Sequence, residues 1–152
     1  MSKCGAQVPV SQPRLWSDET PNLYQAAVEL FYKNEMVDQV LSKYGLRTIE
    51  ITPQKGFLLN GKPIKLRGGC LHHVGGIMGA ASYPKAEERR IRLLKECGYN
   101  AIRSSHNPAS EALLNACDKL GMLVIDEAFD MWRFPKGPTI TAGILMIGGL
   151  KM

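Results

Sequence analysis

No stretch of the 152 residues approaches the ~20 consecutive apolar residues that span a bilayer, so no membrane role is expected. The start, Met1-Ser2-Lys3-Cys4, has no apolar core of a secretory signal. Export is therefore unsupported on this chain, and a cytoplasmic setting is slightly favoured. Charge of one sign is scarce as well. Against 19 Lys and Arg stand 14 Asp and Glu, a net charge of +5 with no block of like charges, which argues for no nucleic-acid partner. The four cysteines, Cys4, Cys70, Cys97 and Cys117, show neither CxxC spacing nor a paired histidine rhythm, so no zinc site and no redox pair is expected. Cys97 and Cys117 fall among apolar helix positions, where a thiol acts as a small hydrophobe.

What is present is punctuation, 15 Gly and 9 Pro, and it separates two textures. A length of 152 suits one domain or pieces of two. Residues 1–14 read as irregular. Between Leu23 and Pro53 the pattern is strand-like: Val28, Leu30 and Tyr32 alternate with polar or exposed positions, and Asn34-Glu35 offers a reversal. Met36–Leu41 and Leu46–Ile51 follow as further short strands. Strands without an intervening helix suggest an antiparallel β-sandwich, but these are too few for the ~7 strands of a complete one.

After Gly56 the rhythm changes. Phe57–Pro63 reads as a hairpin around Asn60-Gly61, and Ile64–Cys70 as a strand. Pro84 opens a helix that runs to Cys97 and stops at Gly98. Tyr99–Ser104 is a strand, Asn107-Pro108 starts a second helix capped by Gly121, and Met122–Ile125 is a nearly continuous apolar strand. The order β-α-β-α-β builds either an open doubly wound sheet or a (β/α)8 barrel.

Sites on such sheets lie at the carboxyl ends of the strands. The first strand leads to His72-His73, the second carries Arg103 and ends in Ser104-Ser105-His106-Asn107-Pro108, and the third ends in Asp126-Glu127. Each group has an ordinary reading too. A lone histidine is more often structural, and Asp126-Glu127 would serve as a helix cap. A metal held by His72, His106 and Asp126 is not demanded by any spacing, so no metal is expected. Gly75–Gly79 lacks both the GxxxxGK[ST] and the GxGxxG pattern, which leaves a flexible βα loop ahead of a phosphate cradle.

These motifs carry a resemblance. In order they are Leu15-Trp16-Ser17 with Pro21-Asn22-Leu23-Tyr24, Gly45-Leu46-Arg47-Thr48-Ile49-Glu50, Gly56-Phe57-Leu58-Leu59-Asn60-Gly61 and Leu66-Arg67-Gly68-Gly69-Cys70-Leu71-His72-His73. Asn100-Ala101-Ile102-Arg103-Ser104-Ser105-His106-Asn107-Pro108 and Gly121 through Asp130 complete the series. The stretch from Leu15 to Pro138 resembles glycoside hydrolase family 2, whose β-galactosidases, β-glucuronidases and β-mannosidases set an immunoglobulin-like sandwich before a (β/α)8 barrel. The wording around His72 is most similar to the β-galactosidase branch.

The resemblance implies part of a sandwich over 15–55, the first three strands of an incomplete barrel over 56–138, and an atypical tail over 139–152. It implies a β-linked sugar as partner, a retaining hydrolase, no cofactor, and room for an oligomer in a full-length relative. It assigns sugar contacts to His72, His106 and Asn107, orientation of the nucleophile to Arg103, and a supporting acidic role to Asp126 and Glu127. One departure is Val74, where Asp is common. Another is that both catalytic glutamates lie on later strands of the family, and no Asn-Glu pair follows Glu127 here. Adjacent residues on a strand face opposite ways, so Asp126 and Glu127 cannot replace that pair. No turnover is expected of this chain alone. The alternative is a non-catalytic carbohydrate-binding or interaction module.

Thr139–Met152 has neither helix nor strand phase and does not resemble the family. Read one frame over with compatible codons, it yields Tyr-x-x-x-Phe-Asp-Asp-Trp-Trp, which resembles the family's continuation. A frameshift near Gly137-Pro138 is the expectation. The nucleotide sequence after codon 138 should encode that Trp-Trp pair in a shifted frame, and a frame without it removes the idea.

Overall fold

The computed structural model describes residues 7–129. Contacts divide the chain into two units, Met1–Lys65 and Leu66–Met152. Cys4 and the atypical tail at 139–152 lie outside the described residues.

In the first unit β1 (Tyr24–Tyr32) and β2 (Glu35–Tyr44) pair antiparallel. The reversal falls at Lys33 and Asn34, with φ of 49° and 66°, one residue before the expected Asn34-Glu35. A two-residue loop matched to strand twist needs positive φ at both central positions, and Asn34 tolerates it as the second of them. Val28, Leu30, Phe31, Val37 and Val40 along this ribbon are all exposed. A second sheet has the order β3-β4-β5, formed by β3 (Ile49–Thr52), β4 (Gly56–Leu59) and β5 (Lys62–Pro63). Its second turn is the expected Asn60-Gly61, with φ of 53° and 75°.

The third strand starts at Ile49 rather than Leu46 because the preceding backbone is engaged elsewhere. Leu46 O accepts from Trp16 N at 2.8 Å, and Thr48 N donates to Asn60 Oδ1 at 3.0 Å. Trp16 is 1% exposed, with Arg47 4.7 Å over its ring and Asn60 Nδ2 donating to its carbonyl at 3.0 Å.

The second unit alternates β6 (Gly68–Leu71), α1 (Pro84–Glu96), β7 (Ala101–Ser104), α2 (Glu111–Leu120) and β8 (Leu123–Asp126). The strands form one parallel sheet in the order β6-β7-β8. Asn100, buried at 3% exposure, gathers their starts. Its side-chain oxygen accepts from Arg67 N at 2.7 Å, its N–H reaches Arg67 O at 2.9 Å, and its carbonyl accepts from Leu123 N at 2.9 Å. Gly68 fits because it has no Cβ; one placed there would lie 2.0 Å from Ala101 O.

Three expectations need correction. The first strand of this sheet begins at Gly68, not Ile64, because Ile64 N donates to Phe57 O in the preceding hairpin. The second helix begins at Glu111, not Asn107-Pro108. Ser110 is its N-cap, with its hydroxyl accepting from Leu113 N, while Ala109 N donates to Asp126 Oδ1 at 2.8 Å. Cys97 is exposed at the end of α1 rather than packed, since the helix stops at Glu96 and Gly98 takes φ 83°.

The sheet buries one face beneath the helices. Ile91, Ile102, Leu113, Ala116, Cys117 and Met122 form the core, with Leu71 and Val124 packed against it. The period of two then sends the paired row Cys70, Arg103 and Ile125 to the opposite face, where all three are exposed. Ile91→Ala should lower stability in chemical denaturation by about 2–5 kcal/mol through the cavity it leaves. Ile77→Ala, on a side chain already open to solvent, should shift it by less than about 0.5 kcal/mol.

Candidate active site

Arg103 stands in the middle of this open face. Its register partners are Cys70 on β6 and Ile125 on β8, and Glu127, two residues beyond Ile125, extends the same row. Arg103 Nε donates to Glu127 Oε1, and Nη1 lies 3.9 Å from Cys70 Sγ. The hydrogen bond and negative charge of Glu127 hold the guanidinium above its ordinary pKa. The arginine side chain is half open to solvent, whereas Glu127 is largely covered.

Glu127 also meets a histidine. Its Oε2 lies 3.5 Å from His106 Nδ1. The rings of His106 and His72 are 5.3 Å apart and inclined by 59°. Thus His72, His106, Arg103 and Glu127, drawn from three separate strand ends, form one continuous polar cluster. Cys70 joins it from the first strand, a member that sequence reasoning missed and that strand register alone would have revealed.

The other anticipated residues go elsewhere. Asp126 turns to the helix-covered side, where Oδ1 accepts from Ala109 N. It is therefore not brought together with the two histidines. The carbonyl of Asn107 accepts from Ser104 Oγ at 2.9 Å, and the residue is exposed. Among the described residues no group of three or more His, Cys, Asp or Glu is placed to hold a metal ion. In the glycine-rich loop the N–H groups of Gly75, Met78, Gly79 and Ala81 donate to loop carbonyls. Those donors are turned inward, which does not suit a phosphate cradle.

Polar groups gathered at the carboxyl ends of parallel strands, with helices behind, define the class of α/β proteins that place their chemistry at that end of the sheet. Comparison with known families narrows this. The family model described as "Glycosyl hydrolases family 2, TIM barrel domain" matches residues 49–132, and that described as "Glycosyl hydrolases family 2" matches residues 2–47. The chain belongs to glycosyl hydrolase family 2.

It is 45% identical over 130 residues to the beta-galactosidase BoGH2A of Bacteroides ovatus, covering 86% of this chain and 15% of that protein. A crystal structure of a family 2 member from Bacteroides cellulosilyticus is 51% identical, with a TM-score of 0.82 over 88% of this chain and 17% of its own. The crystal structure of Bacteroides uniformis beta-glucuronidase is 40% identical, with a TM-score of 0.77, covering 87% of this chain and 16% of its own. The chain thus spans only 15–17% of the length of these relatives.

Thiol chemistry checks the packing around this sheet. Burial pushes the Cys117 thiol up to about 12, while Cys70 and Cys97 are exposed. In a Cys4→Ser background at pH 8, iodoacetamide should label Cys70 and Cys97 and leave Cys117 untouched until denaturant is added. Mass spectrometry that finds Cys117 labelled as fast as Cys97 would contradict a packed core.

Proposed function

We propose that this chain carries the end of an immunoglobulin-like sandwich over 15–55 and the first three βα strands of an incomplete glycosidase barrel over 56–138. In that reading it supplies the sugar-contacting and arginine side of a retaining β-glycosidase site of the β-galactosidase type. The observation that carries it is the 5.3 Å approach of the His72 and His106 rings beside the Arg103–Glu127 pair. Two imidazoles at that spacing offer donors and acceptors to neighbouring sugar hydroxyls, and Asn107 on the adjoining exposed loop adds an amide. Arg103, already held from one side by Glu127, presents its remaining N–H groups toward the open face. There it would orient a nucleophilic carboxylate and favour its ionised form. Asp126 supports the loop of His106 through Ala109.

Retaining chemistry also needs an acid/base and a nucleophile about 5–5.5 Å apart. Asp126 and Glu127 face opposite ways and are both engaged. The 152-residue chain on its own should accordingly bind a β-galactoside without hydrolysing it. In titration calorimetry with methyl β-galactoside, His72→Ala and His106→Ala should each weaken binding by about 2–10-fold, the worth of one net hydrogen bond. A chromogenic galactoside should be hydrolysed no faster than in buffer. Turnover by the purified chain that disappears in Arg103→Ala would overturn the inactive reading, and absence of sugar binding would overturn the site itself.

A further inference from the structure

We propose that Glu87, a buried carboxylate on α1 outside the polar cluster, is the positioning residue that sets the spacing of His72 and His106. The two histidines sit on different loops, one joining β6 to α1 and the other joining β7 to α2. The strand ladder fixes only the starts of these loops, its last bond running from Ser105 N to Leu71 O at 3.0 Å, and their far ends need a tie of their own. Glu87 is 5% exposed and lies in the first turn of α1. Its two oxygens divide the work.

Oε1 accepts from Ser82 Oγ at 2.9 Å. An ionised carboxylate only accepts, so the Ser82 proton is committed to it. The 2.7 Å contact between Ser82 Oγ and Ser110 Oγ must then be donated by Ser110. The Ser110 oxygen in turn accepts from Leu113 N at 3.2 Å as the cap of α2. This arm joins the end of the His72 loop to the end of the His106 loop. The second arm is an ion pair without a hydrogen bond: the buried Oε2 lies 3.4 Å from Arg90 Nη1, and Arg90 Nη2 donates to Val74 O at 2.8 Å, two residues beyond His72. One carboxylate therefore grips the His72 loop at both ends and the His106 loop at one. Asp126 holds Ala109, next to Ser110, from the β8 side. The charge matters as much as the shape. Glu87→Gln keeps the volume and can still bond Ser82 through its amide, but it removes the charge that faces Arg90, so the second arm weakens.

The effect on spacing is independent of any ligand, whereas its effect on sugar affinity rests on the glycosidase reading above. Both are measured on the full chain. Its three histidines can be carbon-13 labelled. Glu87→Gln and Ser82→Ala should shift the His72 and His106 ring signals together. They should also weaken methyl β-galactoside binding about tenfold. Ser110→Thr, which keeps the hydroxyl, should hold the signals near their original positions, and Ser110→Ala should not. Leu94→Ala, which loosens core packing, should lower the melting temperature without moving the pair.

Unchanged His72 and His106 signals in folded Glu87→Gln and Ser82→Ala would overturn the proposal. So would equal movement in Leu94→Ala. If Glu87→Gln yields no folded protein, Ser82→Ala and Ser110→Thr decide the matter. Shifted signals with no sugar binding in any variant, the unaltered chain included, would support the positioning role and sink the glycosidase reading instead.

Discussion

The parallel register of β6, β7 and β8 is the constraint on which the rest of the second unit depends. It is pinned at the amino-terminal ends by Asn100, which bonds to the backbone beside both outer strands. It is pinned again at Gly68, where the backbone of β7 comes too close for any side chain. Because side chains alternate, a slip of one residue would turn Arg103 toward the helices and Ile102 toward solvent. A charged guanidinium would then be buried without a partner, and the core would lose one of its fully covered members. Register, core and site are thus one choice, made once.

The alternation also explains how adjacent carboxylates come to serve different ends. Asp126 faces the helices and fastens the loop that carries His106, while Glu127 faces the open side and pairs with Arg103 and His106. Neither is spare. Removing Glu127 would leave a cation without its neighbour on the site side, and removing Asp126 would free the backbone N–H of Ala109. Glu87 belongs to the same economy of shared acceptors, since each of its oxygens meets a different loop support.

Much of this was legible in the sequence where a residue type acts locally. Pro84 marks the first turn of α1, Gly98 and Gly121 mark helix ends with positive φ, and Asn60-Gly61 marks a turn. The two histidines and Arg103 could be placed at strand ends from the βα rhythm alone. What stayed hidden depends on partners distant in sequence. Leu46 reads as strand, yet its carbonyl is claimed by Trp16. Asn107-Pro108 reads as a helix start, yet Ser110 is the better cap and the preceding loop answers to Asp126. Cys97 shares the apolar period of α1 but falls just past its last turn. The Glu87–Ser82–Ser110 link was invisible for the same reason, since polar residues near helix starts look like ordinary solvent-facing caps.

The packing of the second unit joins elements no more than one βα repeat apart in the chain: β6 with β7, β7 with β8, α1 with α2, and α2 with β8. Short sequence separation keeps loop-closure entropy low and favours fast folding. A nascent chain can therefore dock each βα repeat onto the one before it, without a search across the whole molecule. Glu127 follows every other member of the polar cluster in sequence, so during synthesis Arg103 and His106 emerge first and receive their shared anion last.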